Sequence, residues 1–151
     1  MMVWRKWLES LQERRRKQLL RLLEARYLDE AADAERVERA VDDMPYPHLR
    51  AVLARVAERE RRHAGWLREK IRSLGGTPPP PPEVPDAPTW REVIEAFESE
   101  KADLVRYVED VYGVGDPEVR GLLERIRREE EENYRDLLEL VTRSEAHADG
   151  A

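Results

Sequence analysis

Residues 75–89 constrain this 151-residue chain more than any other stretch. The segment reads Gly75-Gly76-Thr77, then Pro78 to Pro82, then Glu83-Val84-Pro85-Asp86-Ala87-Pro88-Thr89. Proline lacks an amide hydrogen and its ring blocks helix continuation, so the run favours extended polyproline II. The paired glycines stop the preceding element, and Thr89 or Asp86 can cap the next one. The strap divides the chain into two similar halves. Both are rich in Glu, Arg, Leu and Ala, a helical composition that argues against a sandwich or barrel.

Each half carries a weaker break at its middle, Asp42 to Pro47 in the first and Gly113-Val114-Gly115-Asp116-Pro117 in the second. Four helices are expected, roughly 8–43, 47–74, 89–112 and 117–145. The halves also repeat with an offset of 70 positions: Pro47 with Pro117, Arg50 with Arg120, Leu53 with Leu123, Leu67 with Leu137, Tyr27 with Phe97, and Asp33 with Asp103. Duplication of a helical hairpin accounts for this register without gaps.

The apolar seam of each helix follows the 3-4 spacing of a buried face. It reads Leu20, Leu23, Tyr27, Glu30, Ala34, Val37, Val41 in the first helix and Leu49, Leu53, Val56, Glu60, His63, Leu67, Ile71 in the second. The third gives Trp90, Val93, Phe97, Glu100, Leu104, Tyr107, Val111, and the fourth Val119, Leu123, Ile126, Glu130, Asn133, Leu137, Leu140. Every seam is apolar or aromatic except at one level, where each carries a glutamate, and the second and fourth helices add a polar residue three positions later, His63 and Asn133. Residues equidistant from an antiparallel turn are level. With turns near 45 and 115, all four glutamates stand 15 residues away, or roughly 22 Å at 1.5 Å per residue. They are therefore expected to converge at mid-height.

Four carboxylates inside a bundle repel one another and lose hydration worth several kcal/mol per ion. No Arg or Lys occupies the seam at that level. Protonation, arginines reaching in from the flanks, or bound cations would each relieve the problem. Two divalent cations would balance four carboxylates, and oxygen-rich ligation with an imidazole suits iron or manganese. Glu60-Arg61-Arg62-His63 places a carboxylate and an imidazole on one helix face, one turn apart.

Other chemistries are excluded by composition. There is no cysteine, hence no disulfide, thiolate metal site, iron–sulfur cluster or thiol nucleophile. The net charge of −6 comes from 33 acidic and 27 basic residues interleaved along the chain, which leaves no basic footprint for nucleic acid. No apolar run approaches the ~18 residues of a membrane span. Met1 to Arg16 mixes Trp4, Trp7, Leu8 and Leu11 with charges and does not read as a signal peptide, so a cytoplasmic location is expected. No Ser-His-Asp, phosphate-loop or Gly-rich cofactor pattern is present.

At Tyr46-Pro47-His48-Leu49 followed by Glu60-Arg61-Arg62-His63-Ala64, the chain resembles the second helix of the rubrerythrin branch of the ferritin-like superfamily. The resemblance covers the four helices, about 20–143. It implies an all-α, ferritin-like four-helix bundle of two duplicated hairpins joined by a long Pro-rich crossover. Residues 1–19 would form a helical extension and 20–145 the bundle, with hairpins 20–74 and 89–145, linker 75–88, and a disordered tail at 146–151. A 15-residue strap in polyproline II reaches roughly 46 Å, enough to return along a helix of roughly 42 Å.

The resemblance also implies a site. Glu30 and Glu100 would be bridging or terminal carboxylates, Glu60 and His63 would ligate one metal, and Glu130 would ligate or bridge the second. Two iron ions, or manganese, would support Fe(II) oxidation or reduction of O₂ or peroxide, a ferroxidase- or peroxidase-type oxidoreductase chemistry. The chain departs from the pattern at Asn133, which stands where the second histidine belongs; an amide carbonyl is the weaker donor to iron. Asn133 is thus open to two readings, a ligand of the second ion or a hydrogen-bonding replacement. The departure also favours the alternative function, a catalytically silent bundle acting as a structural or interaction module. By spacing from Pro47 the family's first glutamate would fall on Tyr27, so Glu30 requires one turn of slack. Tyr27, Phe97, Tyr107 and Tyr134 are expected in the core, while Asp33 and Asp103 are either supporting groups or flank charges. Glu131 and Glu132 are read as solvated, and His48 and His147 receive no role. Trp4 and Trp7 suit a cover for the bundle end or a contact in a homo-oligomer better than a membrane surface.

Overall fold

The structure is a computed structural model that describes the backbone of residues 1–148 and the side chains of 1–143. Four helices account for almost all of it: α1 Met2–Asp43, α2 Pro47–Ser73, α3 Thr89–Gly113 and α4 Pro117–Ala148. No strand occurs among the described residues. The last helix runs on through 146–148, and residues 149–151 of the expected tail lie outside the described residues.

Both hairpin turns are built alike. Pro47 and Pro117 open α2 and α4, where a missing amide hydrogen costs nothing. Arg50 Nε and Nη2 donate to Met44 O at 3.0 and 2.6 Å. Arg120 does the same to Val114 O, again at 3.0 and 2.6 Å. The repeat seen in the sequence is therefore a repeat of turn chemistry. Asp116 Oδ1 adds a cap by accepting from Val119 N at 2.9 Å.

The strap begins at the opposite end of the bundle. Gly75 has φ +78°, a conformation that favours glycine. At Gly76 a Cβ would lie 2.7 Å from Leu20 Cδ2. Arg16 Nη1 donates to Leu74 O at 2.9 Å. At the far end of the strap, Arg39 donates to Val84 O at 2.9 Å and to Pro85 O at 3.0 Å. The strap thus passes from the level of Arg16 to that of Arg39 on α1, roughly 35 Å at 1.5 Å per residue. It is a full-length crossover, so α3 re-enters at the end where α1 finishes. Arg39 with Glu92 and Arg26 with Asp110 then join α1 and α3 as antiparallel neighbours. Lys70 with Glu118 and Arg59 with Asp136 do the same for α2 and α4. The order is up, down, down, up, the crossover bundle expected from strap length.

The core is split in two. One cluster holds Leu20, Leu23, Tyr27, Leu67, Ile71, Tyr107, Val119, Leu123 and Ile126. The other holds Val37, Met44, Leu53, Val56, Val93, Leu137 and Leu140. Burying each such aliphatic side chain stabilises the fold by about 1.5–3 kcal/mol. Between the clusters lies a polar layer.

The expected seams hold throughout α2 and α4, and in α1 down to a half-buried Val41. In α3 they require correction. Trp90 is exposed and Phe97, Leu104 and Val111 are only half-buried, whereas Glu92, Ala96 and Asp103 are buried. Here α3 meets α1 through polar partners: Glu92 pairs with Arg39 at 3.0 Å, and Ser99 Oγ donates to Asp33 Oδ2 at 2.8 Å. Such partners let polar residues take a face that hydrophobicity alone assigns elsewhere.

Candidate metal centre

Glu30, Glu60, Glu100 and Glu130 are all buried, at 1–2% exposure, together with His63 and Asn133 at 0%. The slack required of the first loop is present, since Glu30 reaches this layer while Tyr27 packs in the apolar cluster. One ligand atom each from Glu30, Glu60, His63 and Glu130 lies within 4.8 Å of all the others. Glu100 completes the layer from α3, facing Glu130 and Glu60.

His63 is held from two sides. Its Nε2 lies 3.0 Å from Glu129 Oε2, and Glu129 is in turn paired with Arg62 Nη2 at 2.6 Å. Its Nδ1 lies 3.1 Å from Glu30 Oε2 and 2.7 Å from Glu130 Oε1. Burial alone would lower the imidazole's pKa, but the hydrogen bonds and charges of Glu130 and Glu30 raise it to about 10. Trp66 packs against the ring with centroids 5.7 Å apart, and Arg125 lies over the indole at 3.9 Å.

Burial and mutual repulsion raise the carboxylates. Glu30 is pushed up to about 7, by burial and then the Glu130 charge, against His63 and Tyr107. Glu60 and Glu100 are held well above the usual carboxylate range by burial and by Glu130. Tyr107, expected in the core, is there, and its hydroxyl donates to Glu30 in a short hydrogen bond. Asp33 and Asp103 are buried at 3%, not flank charges; Ser99 bridges them, and Arg36 and Arg106 pair with them on the outer side.

In the second half, Asn133 Nδ2 donates to Glu60 Oε1 in a short bond, while Asn133 Oδ1 accepts from Arg59 Nη1 at 3.1 Å. Arg59 is anchored by Asp136 Oδ2 at 2.7 Å and Glu132 Oε2 at 3.3 Å. Arg59 and Glu129 were not singled out in the sequence. Glu129 sits in a run of four glutamates, and Arg59 lies beside the seam. Applying the 70-residue offset to positions flanking the seam pairs the two and is the signal that finds them. Glu131 pairs with Arg127 at 2.6 Å on the outer face, and Glu132 is exposed. His48 is exposed, and the His147 side chain lies outside the described residues.

Glu100 Oε2 is buried without a hydrogen-bond partner, and Glu130 Oε1 has only His63 Nδ1 beside it, at 2.7 Å. Buried acceptors are normally satisfied, so the layer holds more oxygen donors than the protein's own hydrogens fill. An O/N donor set of this kind, with no sulfur, fits iron or manganese.

A protein-family model for rubrerythrin matches residues 23–141. The chain belongs to the rubrerythrin family. Among solved structures, the dodecameric thioferritin characterised as the bacterioferritin-related protein of Bacteroides fragilis superposes with a TM-score of 0.76. It is 20% identical in sequence, with 89% of this chain and 90% of that chain covered. At that identity the likeness speaks for the ferritin-like fold of this rubrerythrin-family chain. No curated protein matches it in sequence. No helix among its described residues is long and apolar enough to cross a membrane.

Proposed function

We propose that this rubrerythrin-family bundle is a metal-binding oxidoreductase whose centre is built on Glu30, Glu60, His63 and Glu130, with Glu100 as the further carboxylate of the layer. Iron is the favoured metal, with manganese the second choice, and Fe(II) oxidation or reduction of O₂ or peroxide is the favoured chemistry. The observation that carries the reading is the convergence of four ligand atoms within 4.8 Å inside a sealed core. A bound metal would supply the redox change and an open coordination position. The chain's own residues set the conditions for it. Glu129 accepts from Nε2–H of His63, which leaves Nδ1 as the ligating nitrogen and fixes the ring. Metal would displace a proton held at Nδ1 between Glu30 and Glu130, so binding should release protons. Tyr107 orients Glu30 through its hydroxyl.

The competing reading, a silent structural bundle, is favoured by one observation: Arg59, Asn133 and a protonated His63 can satisfy much of the layer with protein groups. Elemental analysis after anaerobic Fe(II) loading and desalting separates the two. Retained iron that disappears in His63→Ala supports the metal centre. No retained iron, with Glu60→Leu stabilising the fold, supports the silent bundle.

The same proposal includes self-association. Trp4, Trp7 and Leu8 are 50–70% exposed on the part of α1 that precedes the bundle, so they do not cover its end. Residues 1–19 carry six basic and two acidic side chains, while the rest carries 21 basic and 31 acidic. A basic, aromatic extension and an acidic body are complementary between copies. The dodecameric state of the Bacteroides fragilis protein agrees with this reading.

A further inference from the structure

The two halves of the polar layer are related by the 70-residue offset, yet their chemistry is opposite. His63 corresponds to Asn133, Glu129 to Arg59, Arg62 to Glu132 and Trp66 to Asp136. In the first half a carboxylate touches the imidazole and an arginine backs the carboxylate: Glu129 to His63 at 3.0 Å, Arg62 to Glu129 at 2.6 Å. In the second half an arginine touches the amide and carboxylates back the arginine: Arg59 to Asn133 at 3.1 Å, Glu132 and Asp136 to Arg59 at 3.3 and 2.7 Å. The ion pair is conserved in place and reversed in sign.

That reversal decides what Asn133 can do. Arg59 can only donate, so the amide oxygen must face it, and the amide N–H₂ must face Glu60. Towards the carboxylates of the layer, therefore, Asn133 presents N–H, which cannot bind a cation. A metal on Asn133 Oδ1 instead would have to share that oxygen with a permanently charged guanidinium. The carboxylate and imidazole atoms that converge within 4.8 Å gather around His63, from Glu30, Glu60 and His63 of the first half and Glu130 of the second, and Glu100 stands outside that group.

We infer that the bundle binds a single metal ion, in the His63 half, and that Arg59 and Asn133 close the other half, the guanidinium bringing the positive charge that a second ion would have supplied. Arg59 is a positioning residue here, acting on the layer through Asn133. The inference rests on the metal-centre reading above, and the following experiment separates their failures.

Metal per chain is measured by elemental analysis after anaerobic Fe(II), and separately Mn(II), loading and desalting, with circular dichroism as the fold control. Wild type should retain one ion per chain. The variant R59E/E132R/N133H copies the first half's Glu129, Arg62 and His63 into the second half and should retain two. If it does not fold, R59Q/N133H removes the cation and supplies the imidazole without adding a charge, and should also retain two. Two ions in wild type would overturn the inference while leaving the metal centre standing. One ion in both wild type and the folded variants would overturn the closure by Arg59 and Asn133. No ion in any of them would overturn the metal-centre reading and the inference with it.

Discussion

The first hairpin of the bundle and the second share a turn, an arginine clamp and a glutamate at the same height, and around that glutamate their chemistry differs. In the first, His63 is gripped by Glu129 and covered by Trp66. In the second, Asn133 is gripped by Arg59, and Asp136 replaces the indole. The repeat keeps the buried seam of α2 in α4, while the flanks differ. The difference teaches that one layer of buried carboxylates can be met in two ways, by an imidazole in one half and by an amide backed by a guanidinium in the other.

Removing the first half's ligands should have the largest effect. Glu60→Ala or His63→Ala should abolish retained iron and manganese, read by elemental analysis, while Asn133→Ala should leave the retained amount unchanged. Equal losses in both halves would erase the distinction.

The next effect concerns the groups that grip each half. Glu129→Gln weakens the hold on Nε2–H of His63 and should lower metal affinity about 10- to 100-fold, read by a competition titration with a chelator. Arg59→Gln should leave that affinity within a few-fold of wild type.

The apoprotein should also respond to pH in a direction opposite to ordinary acid denaturation. His63 is raised from 6.5 to about 10, so the stability it contributes is complete below about 6.5 and is lost as pH rises towards 10. Glu30 is raised from 4.5 to about 7. A carboxyl raised in the fold favours folding while protonated, and that contribution fades between about 4.5 and 7. The groups facing His63 are Glu30 on α1 and Glu129 and Glu130 on α4, with Arg62 beside it on α2. In chelator, Tm should therefore fall between pH 6 and pH 9, and bound metal should flatten the fall. In the His63→Ala variant the decline above pH 7 should become shallower, with the raised carboxyls Glu60, Glu100 and Asp103 supplying what remains.

The smallest effect on the fold should come from the extension. Trp4→Glu with Trp7→Glu should reduce the assembly's mass by light scattering and shift Tm by no more than a few degrees, since neither side chain is buried. An unchanged mass would remove the extension from the assembly.

Much of this was legible in the sequence because it follows from counting. Equal distance from a turn places Glu30 beside Glu60 and Glu100 beside Glu130, and a 15-residue polyproline strap is long enough for a crossover. The conformation of Arg59 was not legible in that way. It lies off the seam, and whether a long side chain turns inward to Asn133 or outward to solvent depends on the neighbours Asp136 and Glu132, which come from another helix. Glu129 was hidden for the related reason that two glutamates in a run of four turn inward, and the seam spacing points only to Glu130. The buried face of α3 was misjudged because Glu92 and Asp103 are polar by composition but paired with Arg39, Ser99 and Arg106. Apolar periodicity reads burial driven by hydrophobic area and is blind to burial of paired polar groups.

Metal binding by this layer around His63 is open to direct observation by anomalous diffraction from crystals soaked anaerobically with Fe(II) or Mn(II). One anomalous peak per chain is expected, bounded by Glu30, Glu60, His63 Nδ1 and Glu130. No peak in the layer, or a peak bounded by Glu100 and Asn133 with none at His63, would contradict it.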